Sequence, residues 1–459
     1  MKFDLIGLML NPFMLMFIAI ATGLVFGKIK FGKFSFGTSG ALFTGLLIGW
    51  LVHKKATAIL TLGESAKGYD VANGLLQNGI IHPYLLEASL IFFVAAIGLL
   101  AAKDMGAVLK KYGAKFMILA FIITFVGAGM TYASMSVINT NSYEVSGVYV
   151  GALTSSPGLG AALETAQEHA KDYANNYDEQ PDNIKTMMLK IIDPSGKLDV
   201  KNTPNLTDAQ KNTYITNAQA GVGVGYAISY PFGVIIVIFA VNFFSTIFRM
   251  NIDEEKRRFE EEMKEARAMA ESKQIPTTPF SMISFAIVCA VGYVLGSVQI
   301  YLGPLGYFSL GATGGILIVG LALGYVGKIG PLSFRMDPKP LAILREIGLV
   351  FFLSIVGLKY GYCALDALMG SGLILAVLAL VVGIVAMLVG FLVGRYIFKI
   401  NWVMLSGAIC GGMTSTPGLG AAIDALDSDE PATGYGATYP FALLGMIIFT
   451  IILNKLPIL

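Results

Sequence analysis

Charge is scarce in this chain. Asp, Glu, Lys and Arg make up 14% of its 459 residues against 55% apolar ones, and mean hydropathy is +0.69. A water-soluble protein of this size could not hide so much apolar surface, which excludes a soluble globular fold. Histidine and cysteine are scarcer still. His53, His82 and His169 are scattered, as are Cys289, Cys363 and Cys410, so neither a disulfide framework nor a metal-ligand spacing exists. No Ser/His pairing, paired aspartates or histidine cluster supports an intramembrane enzyme, and no cofactor is expected. A net charge of +2 gives no reason to expect nucleic acid as a partner.

What is abundant is apolar residues in runs of ~20, the length that crosses a bilayer. Clear spans lie near 10–28, 36–53, 85–102, 112–138 and 219–248, and again near 280–299, 307–327, 341–358, 370–396 and 433–454. The first follows Asn11-Pro12, an N-cap with proline at the first helical position, and has no small-residue cleavage site, so it is expected to be retained. Segments 144–165 and 404–425 are either full spans or re-entrant hairpins. The positive-inside rule favours hairpins, since five inner segments then hold 20 of the 32 Lys and Arg. Both termini fall outside on this reading.

Five spans and a hairpin per half is an odd number of crossings, so the second half is inserted upside down. The halves also match in sequence and in order. Asn11-Pro12-Phe13 matches Thr278-Pro279-Phe280, and "SGALFTGLLIGW" matches "GGILIVGLALGY", with Gly40, Gly45 and Gly49 on Gly315, Gly320 and Gly324. "EASLIFFVAAIGL" matches "EIGLVFFLSIVGL", and "GYAISYPF" matches "GYGATYPF". The expected fold is an all-α polytopic membrane protein of two inverted repeats, residues 1–250 and 275–459. Two segments stand outside the duplication. Residues 166–217 read as a polar outer loop, and 251–274 as a cytosolic linker helix, a solvated connector with i,i+4 pairs Asp253/Arg257, Glu254/Arg258 and Glu260/Lys264. Phe259, Met263, Ala266 and Ala270 give it a weak apolar stripe.

The strongest repeat is "GALTSSPGLGAA" at 151–162 and "GGMTSTPGLGAA" at 411–422. At membrane depth irregular backbone survives only where protein or a cavity satisfies it. Pro157 and Pro417 each remove a donor, and Gly158 and Gly418 permit a turn. Free amides at the following helix starts and the hydroxyls of Thr154, Ser155, Ser156, Thr414, Ser415 and Thr416 suit a carboxylate. Tyr230 and Tyr439, beside Pro231 and Pro440 in helices expected to break there, complete the candidate site. Small residues alone explain Gly45 and Gly49 as packing contacts but not three hydroxyls and a proline written twice. Glu164 and Asp424, matched one to two turns past the tips, are candidates for ion or proton coupling, and Glu87 and Glu346 form a second matched pair. Arg345 and Lys359 read as snorkelling side chains.

Gly147, eight residues, then Ser156-Pro157-Gly158-Leu159 resembles the G-x8-T-P-x-L signature of the bacterial aspartate–alanine exchanger family, and Gly407 with Thr416-Pro417-Gly418-Leu419 fits it fully. The resemblance implies ten spans, a duplicated membrane domain and electrogenic exchange of an acidic for a neutral amino acid. The large cytosolic insert common in that family is absent between these halves. The expected function is a secondary transporter of small carboxylates in a bacterial inner membrane, an acidic amino acid or dicarboxylate exchanger working by alternating access, and a homodimer. A cation–proton antiporter using Glu164 and Asp424 is the alternative, and a channel a third.

Overall fold

The computed structural model describes residues 5–29, 36–135, 141–269, 276–301, 307–308, 310–369 and 372–455. Lys2, Lys30, Lys33 and Ala270 lie outside them. The first half comprises α1 (Leu5–Met9), α2 (Pro12–Gly27), α3 (Gly40–Thr61), α4 (Tyr69–Asn78), α5 (Pro83–Met135), α6 (Ser142–Ala152), α7 (Ser156–Asn175), α8 (Asp182–Ile192) and α9 (Asp208–Ile247). After α10 (Ile252–Met269) come α11 (Met282–Ser297), α12 (Gly311–Val326), α13 (Pro338–Met369), α14 (Leu373–Leu392), α15 (Trp402–Gly412), α16 (Thr416–Leu426) and α17 (Pro431–Lys455). Among the described residues, strands occur only as two short antiparallel ribbons.

The repeats pair their helices alike where the same glycines make the same crossings. Gly23 and Gly40 let α2 and α3 touch backbone to backbone, and Gly292 and Gly315 do so for α11 and α12. Gly23 and Gly27 correspond to Gly292 and Gly296, a register two residues away from the one that Pro12 and Pro279 suggest. Asn11 does cap α2 through Phe13 and Met14, but the cap of α11 is Ser281; Thr278 pairs with Arg335 instead. The halves also interlock. Gly45 lies on Gly357 and Ser354 of α13, while its counterpart Gly320 lies on Gly98 of α5. Gly45 and Gly49 are thus the packing residues their spacing suggests.

The helical backbone of α5 runs unbroken through Lys103–Lys115, where a turn between two spans is expected. It still doubles back. Leu153 packs on Gly127, whereas Thr154, the next residue, shares a cavity with Glu87. A straight helix would put those two α5 positions about 60 Å apart. Its first part lies along α12 and its second along α14 and α17, with Ile123 against Gly390 and Thr124 against Gly445. The second half makes the same return as two helices, α13 and α14. Among the described residues, six segments are long and apolar enough to cross a bilayer, with four shorter apolar helices beside them. Lys111, Lys115 and Arg395 gather round α10 and the start of α15, and Lys28, Arg249 and Arg345 round Asp424, marking one face, called the basic face below.

Two segments differ from their reading as loop and solvated connector. Residues 166–217 are mostly helical, and Ala166, Ala170, Ala174, Tyr177, Met188, Leu189 and Tyr214 are buried in the main hydrophobic core, continuous with α6 and α9. Thr207 and Gln210 form a capping box at the start of α9. α10 is docked by one face, while Asp253, Glu254, Arg257, Glu260, Glu261 and Lys264 stay exposed on the other. Phe259 and Met263 are buried, and so is Glu255. That carboxylate takes two hydrogen bonds from Arg395, at 2.8 and 2.7 Å, and one from the Trp402 amide at 2.7 Å. Glu262 accepts from Tyr112 and, at 2.8 Å, from Asn401, the N-cap of α15. Of the charged pairs, Arg257 joins Glu261 and Arg258 joins Glu255, rather than the acidic residues four positions before them.

Candidate functional site

Each hairpin tip is built by the same backbone bonds. As α6 ends, the Thr154 amide donates to Gly151 O at 2.9 Å and the Ser155 amide to Val150 O at 2.8 Å. As α15 ends, Thr414 donates to Gly411 O at 3.0 Å and Ser415 to Cys410 O at 2.8 Å. This turn puts Thr154 and Thr414 at φ of 54° and 49°, the left-handed region, where a β-branched residue is an outlier. What holds them there is the other tip. Thr154 Oγ1 donates to Met413 O at 3.1 Å, and Thr414 Oγ1 donates to Leu153 O at 2.8 Å. The hairpins therefore meet end to end about a two-fold axis. α15 and α16, at 11 residues each, are ~16 Å long, half of a ~30 Å hydrocarbon core.

The hydroxyls are not all free. Ser155 and Ser415 are fully buried N-caps, accepting from the Gly158 amide at 3.1 Å and the Gly418 amide at 3.2 Å. With Pro417 donating nothing and the Gly418 and Leu419 amides taken by Ser415, the Thr416 amide is the one in the first turn of α16 with no partner among the described residues. Thr416 Oγ1 lies 3.1 Å from the Tyr435 hydroxyl. The side chains of Ser156 and Pro157 lie outside those described.

A cavity of about 350 Å³ lies beside the joined tips, at the starts of α5 and α12, the ends of those spans away from Lys103 and Lys328. Thr154, Thr414, Thr416 and Pro417 reach it from the tips, and Tyr230 and Tyr439 from α9 and α17. Those two helices run on through Pro231 and Pro440, correcting the expected breaks. Their surroundings are tightly packed, which keeps a helix continuous where proline removes one bond. The signature glycines explain how these helices come so close. A Cβ on Gly147 would collide with Val222 O of α9, and one on Gly407 with Pro431 O of α17. The remaining wall comes from Pro83, Leu86, Glu87 and Leu90 of α5, Ala312 and Thr313 of α12, and Phe352 of α13. Among the lining residues there is no basic side chain and one carboxylate, Glu87. Thr313 and Phe352 escape a reading of sequence alone, although Thr313 stands two residues before Gly315 as Thr38 does before Gly40.

Glu164 and Asp424 do not line this cavity. Glu164 is exposed, on the side away from the basic face. Asp424 borders two other cavities, of about 460 and 880 Å³, with Lys28 and Arg345 in the wall of one and Arg249 in the wall of the other. Arg345 is bonded to Asp429 rather than snorkelling to headgroups.

A family model described as a predicted permease membrane region matches residues 15–246 and 284–455, the two repeats. The chain belongs to the aspartate–alanine exchanger family. In this exchanger-family protein the unmatched stretch between the segments holds α10. A chain of Rhodopirellula baltica named an uncharacterised transporter is 25% identical over 549 aligned positions, covering 95% of this chain and 97% of that one. An uncharacterised transporter of Bacteroides thetaiotaomicron is 39% identical over 184 residues, 40% of this chain and 34% of the relative. A putative transport protein of Edwardsiella ictaluri is 35% identical over 165 residues, 35% of this chain and 30% of the relative. The last two matches thus span about a third of those relatives' length. No solved structure matches. The protein is a multi-pass membrane protein of that family.

Proposed function

We propose that the protein is a secondary active transporter of small carboxylates, exchanging an acidic amino acid or dicarboxylate by alternating access. The observation that carries this reading is the meeting of both tips at one cavity walled by Thr416, Tyr230 and Tyr439. A substrate carboxylate there is offered the Thr416 amide, the positive end of the α16 dipole and uncharged hydroxyls. Neutral donors hold an anion loosely enough to release it on either side. Glu87, in the same wall, suits the ammonium of an amino acid. By the positive-inside rule the basic face is assigned to the cytoplasm of a bacterial inner membrane, with both termini outside; a homodimer is proposed as the working unit.

Counterflow of labelled aspartate and of dicarboxylates in liposomes tests the reading. Thr416→Val and Tyr439→Phe each remove a hydroxyl, and a hydrogen bond to a charged group is worth ~1.5–3 kcal/mol. Apparent affinity should therefore fall about tenfold with folding intact. Unchanged affinity in both variants sinks the proposal. The cation–proton antiporter is less favoured, because its two carboxylates stand apart from the tip cavity and Asp424 is bonded to Thr38.

A further inference from the structure

Symmetry gives residues near the basic face counterparts near the opposite face, and one set of counterparts is treated unequally. Thr38, in the turn before α3, donates through Oγ1 to Asp424 Oδ2 at 2.6 Å, and its amide lies 3.3 Å from the same oxygen. Gly37, at φ +54°, approaches so closely that a Cβ would lie 3.0 Å from that oxygen. Arg345 pairs with Asp429 alongside. These contacts fasten the second arm of hairpin two to α3 and α13. On the opposite side Thr313 corresponds to Thr38 and Glu164 to Asp424. There Glu164 is exposed, and no bond joins it to Thr313 among the described residues. Thr313 instead lies 3.4 Å from the Tyr439 hydroxyl and lines the 350 Å³ cavity.

One side is latched and the other is hollow. We propose that Thr313 and Glu164 form the matching latch in a second conformation, in which Thr38 and Asp424 have parted and the cavity faces the basic side. The inference rests on the alternating-access reading above. The chemistry is the same on both sides, a carboxylate accepting from a threonine hydroxyl at the start of the second span of each repeat. The latches are unequal in strength. Arg345 is matched by Leu86, which carries no charge, so the side latched here holds the balance in its favour.

Disulfide trapping in the full-length protein tests the proposal, with Cys289, Cys363 and Cys410 replaced and single-cysteine controls checked for monodisperse elution. The pairs are Thr38→Cys with Asp424→Cys and Thr313→Cys with Glu164→Cys. Both should cross-link under mild oxidant, and each cross-link should stop counterflow until reductant is added. Adding Asp424→Asn to the second pair weakens the existing latch and should speed its cross-linking about tenfold. A second pair that stays reduced in actively exchanging vesicles overturns the latch, as does a rate indifferent to Asp424→Asn. If no carboxylate is exchanged yet both pairs cross-link, the substrate reading falls and the latch stands.

Discussion

The two hairpins carry nearly the same phrase and fold to the same tip, yet unlike chemistry grips them at their bases. Hairpin two is held by charge. Glu255 and Glu262 of α10 reach Arg395, Trp402 and Asn401 where α15 begins. Hairpin one is held by rings. The Tyr143 hydroxyl lies 3.0 Å from His169 Nδ1 and 3.1 Å from the Tyr214 hydroxyl, joining α6, α7 and α9. Duplication fixed the tips, while the bases drew on the two segments outside the repeat. On the proposed reading function constrains the first, and the local topology of each half constrains the second.

The largest effect should come from cutting the charged base. Glu255 is 4% exposed, and removing one partner of a buried ion pair costs about 3–5 kcal/mol. Glu255→Ala should therefore lower the thermal midpoint in detergent far more than Tyr143→Phe does. Equal losses would erase the contrast between the bases. Next come the signature glycines. Gly147→Ala and Gly407→Ala each push a Cβ into a carbonyl, and overpacking costs about 1–3 kcal/mol. Similar losses in the two halves are expected, and a benign Gly407→Ala would refute the packing role. Smaller still are the tip threonines. Thr154→Gly relieves the left-handed backbone but drops a bond of about 1 kcal/mol, so exchange should slow several-fold, with Thr154→Ser nearly normal. The double variant with Thr414→Gly should be less than additive.

Acid distinguishes the bases most finely. Burial holds His169 below its ordinary 6.5, outweighing the opposing pull of Asp172. For Glu255 burial pushes up from 4.5, but the Arg395 bonds and the Trp402 amide together hold it down. Both folded values are depressed, so both contributions are complete above the ordinary value and vanish as pH falls through the folded one. Hydrogen exchange should show hairpin one loosening first, below about pH 6.5, and the α10 dock only below the ordinary carboxylate range. The reverse order would contradict the assignment.

The repeat, the tips and their tyrosines are legible in the sequence because proline, glycine and hydroxyls are costly in a span and stand out when written twice. Thr38 and Thr313 do not stand out, since a single threonine at the start of a span is ordinary and only its partner across the fold gives it meaning. The dock of α10 is hidden for a similar reason. Its acidic residues look like a solvated face until Arg395 and Trp402, 140 and 147 residues away, are brought beside Glu255. The return of α5 is read correctly from its two apolar runs, although its backbone stays helical through the bend.

The reciprocal bonds between Thr154 and Thr414 have a mechanical meaning. Neither tip can shift alone without breaking both bonds and stranding two carbonyls in the interior of the protein. If the hairpins move in transport as proposed, these bonds make them move as one body, and a disturbance in either half would be felt by the same part. On the proposed alternating-access reading, no pose would let one tip release the substrate while the other still held it, so linkage rather than a separate door would limit leakage.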